Sequence, residues 1–257
     1  MTEPVRITED NGVLTLVLNR PDKKNALSDA MYATLMQELL RATETPAIRA
    51  VLLEAEGDMF TAGNDIGDFA AIATGAKPAE TLAAYPFIKA LAWFDKPLVA
   101  AVQGNAVGIG LTMLLHCDIV YIAEDAKLTA PFADLALAPE AASSLLLPAR
   151  AGHARAYAVF ALGDAISGRQ AEAIGLATAA LPAGEVKARA RETAHQLAAK
   201  PAGALKAIKH LMRESNEIAV VIERETAVFA ERLKTPEAAE AFKAFAEKRK
   251  PDFRKSS

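Results

Sequence analysis

Apolar residues in this chain follow first a short rhythm and then a long one. Val5-Arg6-Ile7-Thr8 and Val13-Leu14-Thr15-Leu16-Val17-Leu18 flank Asp10-Asn11-Gly12. Asn-Gly between β-prone runs predicts a hairpin, because both residues tolerate positive φ. From Ser28, a candidate N-cap, Met31, Leu35, Leu39 and Leu40 recur at helical spacing. Ala50-Val51-Leu52-Leu53-Glu54 predicts a short buried strand, and Phe60-Thr61-Ala62-Gly63-Asn64-Asp65-Ile66 a glycine-bearing loop. Residues 67–78 are small and polar and predict a mobile segment; 82–94 predict a helix stopped by Lys96-Pro97. Val99-Ala100-Ala101-Val102 then predicts a buried strand, Gly104 to Gly110 a glycine-punctuated turn, and 111–115 an apolar helix. With further strands at 118–123 and 127–129, strand, loop and helix alternate three times. That is the pattern of an α/β protein with largely buried strands.

Beyond residue 140 the pattern is mostly helical. Ser167 to Leu176 reads as a short capped helix closed by Gly175, and 204–212, 218–233 and 236–248 as amphipathic helices. The division expected is a core over 1–195 and a helical C-terminal region over 196–257.

Composition narrows the function classes. The 257 residues are 52% hydrophobic and 24% charged with a net charge of −3, which argues against a general nucleic-acid binder. The basic tail from Lys243 reads as a solvated helix face, with a local phosphate contact as the alternative. One cysteine, Cys117, cannot close an internal disulfide, and the N-terminus lacks a basic-then-apolar leader pattern. No apolar run of membrane-spanning length occurs. The expectation is a soluble, cytoplasmic protein with no membrane or nucleic-acid partner.

Most chemistries find no support. His116, His153, His195 and His210 lack metal-ligand spacing and read as surface or structural residues, so no metal is expected. Cys117 reads as a small buried hydrophobe. Gly-x-Ser-x-Gly and the P-loop are absent, and Gly104 to Gly110 misses the dinucleotide fingerprint. Carboxylates near glycine loops remain. The strand-to-helix loops at Asn64 and Ile109 could each aim one main-chain N–H at the same oxygen, and the glycines, Gly108 among them, allow close approach. Two converging donors form an oxyanion hole, one good donor contributing roughly 3 kcal/mol to a transition state. Without more, such turns are usually structural.

The ordered set Asn19-Arg20-Pro21-x-x-x-Asn25-Ala26-Leu27, Phe60-x-Ala62-Gly63-x-Asp65-Ile66, Pro97-x-x-Ala100-Ala101-Val102-x-Gly104-x-Ala106-x-Gly108-x-Gly110, Cys117-Asp118 and Phe245-x-Glu247-Lys248-Arg249-x-Pro251-x-Phe253 resembles the crotonase (enoyl-CoA hydratase/isomerase) superfamily. The resemblance covers nearly the whole chain. It implies a spiral of ββα units with a C-terminal helical trimerisation region, an acyl-CoA thioester substrate, no separate cofactor, and trimers or dimers of trimers. It also implies that the thioester oxygen binds the N–H groups of Asn64 and Ile109. Lys24, Ala26, Ala62, Asp65 and Ile66 would bind substrate along the CoA path, with Gly108, Thr112, Pro131 and Leu135 nearer the acyl group. Lys248 would meet a CoA phosphate.

The reaction must be read from side chains, because a scaffold does not fix it. Hydratases of this superfamily use two glutamates, at positions that here hold Thr112 and Phe132, neither of which transfers a proton at neutral pH. Pro139-Glu140 ahead of Ala-Ala-Ser-Ser resembles the segment of the peroxisomal type of Δ3,Δ2-enoyl-CoA isomerase, where one glutamate is the base. The role carries to Glu140, which removes a proton from the α-carbon and returns it at the γ-carbon. Phe132, Leu135 and Leu137 could exclude water and raise its pKa by desolvation. Read alone, Pro139-Glu140 fits the first turn of a helix. Asp134 is the second candidate acid, Asp65 reads as a helix cap, Thr112 as a packing residue unless it orients substrate, and Trp93 as a core or interface aromatic. Two alternatives stay open: another crotonase reaction, hydration included, and a catalytically silent acyl-CoA-binding or trimeric interaction protein. Fatty-acid and aromatic-acid breakdown would both use such an enzyme.

Overall fold

Strands β1 (Val5–Asp10) and β2 (Val13–Leu18) form the hairpin that Asn11-Gly12 predicts, both turn residues taking positive φ. The computed structural model describes residues 3–65, 67 and 83–255. The expected mobile segment at 67–78, Gly67 excepted, and the substrate-binding assignment of Ile66 therefore lie outside the described residues. Beyond the hairpin the sheet is parallel, adding β3 (Ala50–Ala55) and β4 (Leu98–Val102) in register, then β6 (Ile119–Ala123) and β9 (Ala179–Leu181). The strands β5 (Ala106–Val107), β7 (Lys127–Thr129) and β8 (Ile166–Ser167) make a second, smaller sheet.

Strands β3 and β4 are buried at every position, as strands covered on both faces of a parallel sheet are, and all of their residues but Glu54 are apolar. On one side, helix α1 (Asp29–Glu44) sends in Leu35 and Leu39, and α2 (Ala84–Trp93) Phe87 and Leu91. They meet Leu16, Leu53 and Leu98 around one small internal void. Each such buried side chain contributes about 2 kcal/mol. Ser28 precedes α1 as expected, yet its side chain makes no capping bond. Lys96 closes the other end of α1 by donating to the carbonyls of Ala42, Thr45 and Ile48.

The turn after β4 is shorter as a helix than its sequence suggests. A four-residue α-turn, α3 (Ile109–Thr112), gives way to a 3₁₀ turn over Met113–His116. After it come α4 (Ser143–Ala151), α5 (His153–Ala161) and α6 (Gly168–Ala173). Helix α6 carries a full capping box, Ser167 with Gln170, so its start is where the sequence places it.

Helix α7 (Ala183–Ala198) crosses β3, β4 and β6. Its Arg191 reaches into the sheet and grips the buried Glu54 of β3 with two bonds of 2.8 and 2.6 Å. Helices α8 (Ala202–Met212), α9 (Ser215–Leu233) and α10 (Pro236–Ala246) complete the chain, with α10 ending before the expected residue 248. Among the described residues no helix is long and apolar enough to cross a membrane.

Candidate active site

Two loops at the C-terminal ends of β3 and β4 are locked together through their backbones. Thr61 and Ala106 form an isolated parallel bridge, and Val107 N–H donates to Thr61 O at 3.0 Å. A side chain at Gly63, whose φ is +89°, would put its Cβ 2.7 Å from Val107 O; one at Gly110 would fall 2.5 Å from Thr61 Cγ2. Both positions need glycine for this approach.

The interlock sets Asn64 beside Gly108. Asn64 bridges Leu27, but the ladder bonds there use Gly63 O and Asp65 N–H, so the Asn64 N–H faces away from it. The Ile109 N–H opens a helix and has no carbonyl four residues back within it. Among the described residues neither N–H takes a hydrogen-bond partner. Helix α3 is too short for a sizeable macrodipole, so whatever these donors offer an anion is direct.

They border a cavity of about 540 Å³ whose wall includes Ala26, Ala62, Asn64, Gly108, Pro131, Leu135 and Glu140. Most of the residues implied by the resemblance thus come together. Others stand apart. Ile109 is fully buried, with Gly108 at the wall instead. Thr112 is buried with its hydroxyl unpartnered among the described residues, away from the wall. Asp65 pairs with Arg20 at 3.2 Å and accepts from Gly67 N–H, which suits the cap reading. Lys24 is exposed, its carbonyl receiving Ala62 N–H at 2.9 Å, so it supports the wall through its backbone. Lys248 is exposed at φ +54°, and the neighbouring Arg249, held by Glu240 and Glu247, reaches the wall with Pro251.

Glu140 does not begin a helix. Ala141 and Ala142 follow it in the left-handed region, and α4 starts only at Ser143. The carboxyl oxygen Oε1 is buried, with no partner among the described residues. Phe132, Leu135 and Leu137 share its wall, Phe132 packing on Phe160 with ring centroids 5.5 Å apart. Burial, reinforced by the nearby Glu225 carboxylate, pushes the Glu140 pKa up to about 8. Asp134 lies on the same wall but is exposed.

Sequence reasoning missed Glu225, His116 as a neighbour of this turn, and the aromatic wall of Phe229, Phe242 and Phe245. Glu225 had a readable signal: it falls in the apolar stripe Ile218, Ile222, Phe229, Leu233 of α9.

The enoyl-CoA hydratase/isomerase family model matches residues 8–256. The chain belongs to that family. Similar proteins include a 1,2-epoxyphenylacetyl-CoA isomerase of Escherichia coli (strain K12), 33% identical over 95% of each chain. A 2,3-dehydroadipyl-CoA hydratase of the same organism is 32% identical, covering 96% of this chain and 97% of its own. The crystal structure of an enoyl-CoA hydratase/isomerase from Pseudoalteromonas atlantica T6c superposes with a TM-score of 0.91 at 41% identity, over 98% of this chain and all of that one. The fold is therefore the mixed α/β crotonase fold with C-terminal helices, and the family acts on acyl-CoA thioesters. Relatives of both reaction types lie at similar distance.

Proposed function

We propose that this enzyme shifts the double bond of a 3-enoyl-CoA to give the 2-enoyl-CoA. The observation that supports this reading most is the carboxyl of Glu140, its Oε1 buried and unpartnered among the described residues, sharing an apolar cavity with the loops of two N–H donors that take no partner among those residues. The thioester oxygen accepts from Asn64 and Ile109 N–H. Glu140 takes a proton from the α-carbon, and the C–H electron pair spreads over the dienolate and onto that oxygen. The pair then returns to the γ-carbon, which recovers the proton from Glu140. Charge grows on the oxygen only as the proton leaves, so the donors act most strongly in the transition state. A base raised to about 8 by its surroundings is strong yet still ionises near neutrality.

Ala26 and Ala62 bound the path of the CoA chain, with Lys24, Arg249 and Lys248 around its mouth to meet phosphates. The assembly we propose is a trimer, supported by Leu211 and Met212, each more than four-fifths exposed on α8.

Glu140→Gln is expected to lower 3-enoyl-CoA turnover roughly thousandfold while CoA affinity by calorimetry stays unchanged. Undiminished turnover would overturn the reading. Asp134, a second carboxylate on the wall, favours hydration as the alternative. Exchange of the substrate α-proton without water addition separates the two. Binding with no turnover on any 2- or 3-enoyl thioester would favour a silent binder.

A further inference from the structure

We infer that His116 and Glu225 are positioning residues, which aim Glu140 into the cavity by clamping the two-alanine turn behind it. This rests on the isomerase reading for its kinetic consequence, though not for its geometry.

Ala141 and Ala142 have φ of +59° and +54°. Two successive left-handed residues with a Cβ are unfavourable and persist only where the surroundings hold them. The holding groups come from both sides. From α9, the buried Glu225 accepts Ala142 N–H at Oε2 over 2.6 Å and Ser144 N–H at Oε1 over 2.8 Å. From the end of the 3₁₀ turn, the fully buried His116 meets Ala141 O through Nε2 at 2.7 Å. Arg213 fixes which proton His116 carries. Its Nη2 lies 2.5 Å from Nδ1 and can only donate, so Nδ1 accepts and Nε2–H donates to Ala141 O. Burial and Arg213 push the His116 pKa down to about 3, so the ring stays neutral through the working range. Ser143 N–H closes the turn onto Glu140 O at 3.0 Å.

The clamp also places charge. Glu225 stands behind Glu140 from α9, while Asp134 and Arg249 share its cavity and Arg213 lies beyond the neutral His116. Of these, Glu225 is the group whose field raises Glu140. A residue that only stabilised the fold would alter neither the ionisation of Glu140 nor kcat at constant KM.

Glu225→Gln can accept one of the two N–H bonds and must oppose the other with its amide. It is expected to lower kcat about thirtyfold with KM within twofold. A ¹³C-carboxyl titration, with the Glu140 signal identified by its loss in Glu140→Gln, should show the midpoint falling by about one unit. Glycine accepts positive φ freely, so Ala142→Gly placed on Glu225→Gln should restore most of the lost kcat, and it supports the fold if the single variant is unstable. His116→Gln removes no charge and is expected to lower kcat about tenfold without moving the Glu140 midpoint. Unchanged kcat and midpoint in Glu225→Gln, or no recovery with Ala142→Gly, would overturn the assignment of Glu225. Unchanged kcat in His116→Gln would overturn that of His116. The titration needs no turnover. A midpoint that moves in a protein without isomerase activity sinks the isomerase reading and keeps the clamp.

Discussion

Two glutamates are taken into this fold and treated in opposite ways. Glu54, the fifth of the six residues of β3, receives two hydrogen bonds from the Arg191 fork, so its charge is matched where it is buried. Glu140 sits in an apolar wall, its Oε1 receiving nothing from the described residues. A buried polar atom without a partner is rare and costly, and native chains tolerate it where another demand overrides stability. The first carboxylate fastens a helix to a sheet. The second, in the proposed mechanism, is held ready for a proton.

The contrast can be broken from either side. Arg191→Met strands the Glu54 charge and is expected to cost about 3–5 kcal/mol, read by urea unfolding at pH 7. Glu140→Gln should have the opposite sign. The folded protein holds the Glu140 proton up to about pH 8, whereas the unfolded chain releases it at the ordinary glutamate value of 4.5. Folding therefore loses stability as pH rises between those values, and the glutamine variant escapes the loss. Its advantage should reach up to about 5 kcal/mol at pH 9 and fade below pH 4.5, seen as a pH-dependent gain in Tm. An advantage independent of pH would remove the basis of the comparison. The smallest effect is kinetic: if ionised Glu140 is the base, kcat/KM should rise roughly tenfold from pH 7 to 9 and level off, and Glu225→Gln should move that limb to lower pH.

Much of the scaffold was legible because its signals are local. Asn11-Gly12 specifies its own turn, Ser167 and Gln170 cap their own helix, and the runs at 50–54 and 99–102 declare strands covered on both faces. Helix α7 was harder to see, because its buried face includes Ala190, Ala194 and Ala198, which contrast little with an alanine-rich chain. Strands β8 and β9, two and three residues long, offer too few positions for a period. At the site, the residue types around Glu140 point the wrong way. Pro-Glu-Ala-Ala favours a helix start, yet the helix waits until Ser143, because bonds from residues 116 and 225 hold the alanines in a conformation that alanine does not choose. Local sequence cannot report a geometry imposed from 83 residues away.

The close fit of Gly63 against Val107 and of Gly110 against Thr61 divides the labour of the cavity. The N–H groups of Asn64 and Ile109 ride on one interlocked unit from the sheet, which cannot shift one without the other. The acid arrives on a separate turn, supported by other helices. In the proposed mechanism the grip on the thioester and the handling of the proton are therefore separable, the first set by the interlocked glycine loops and the second by the turn that carries Glu140.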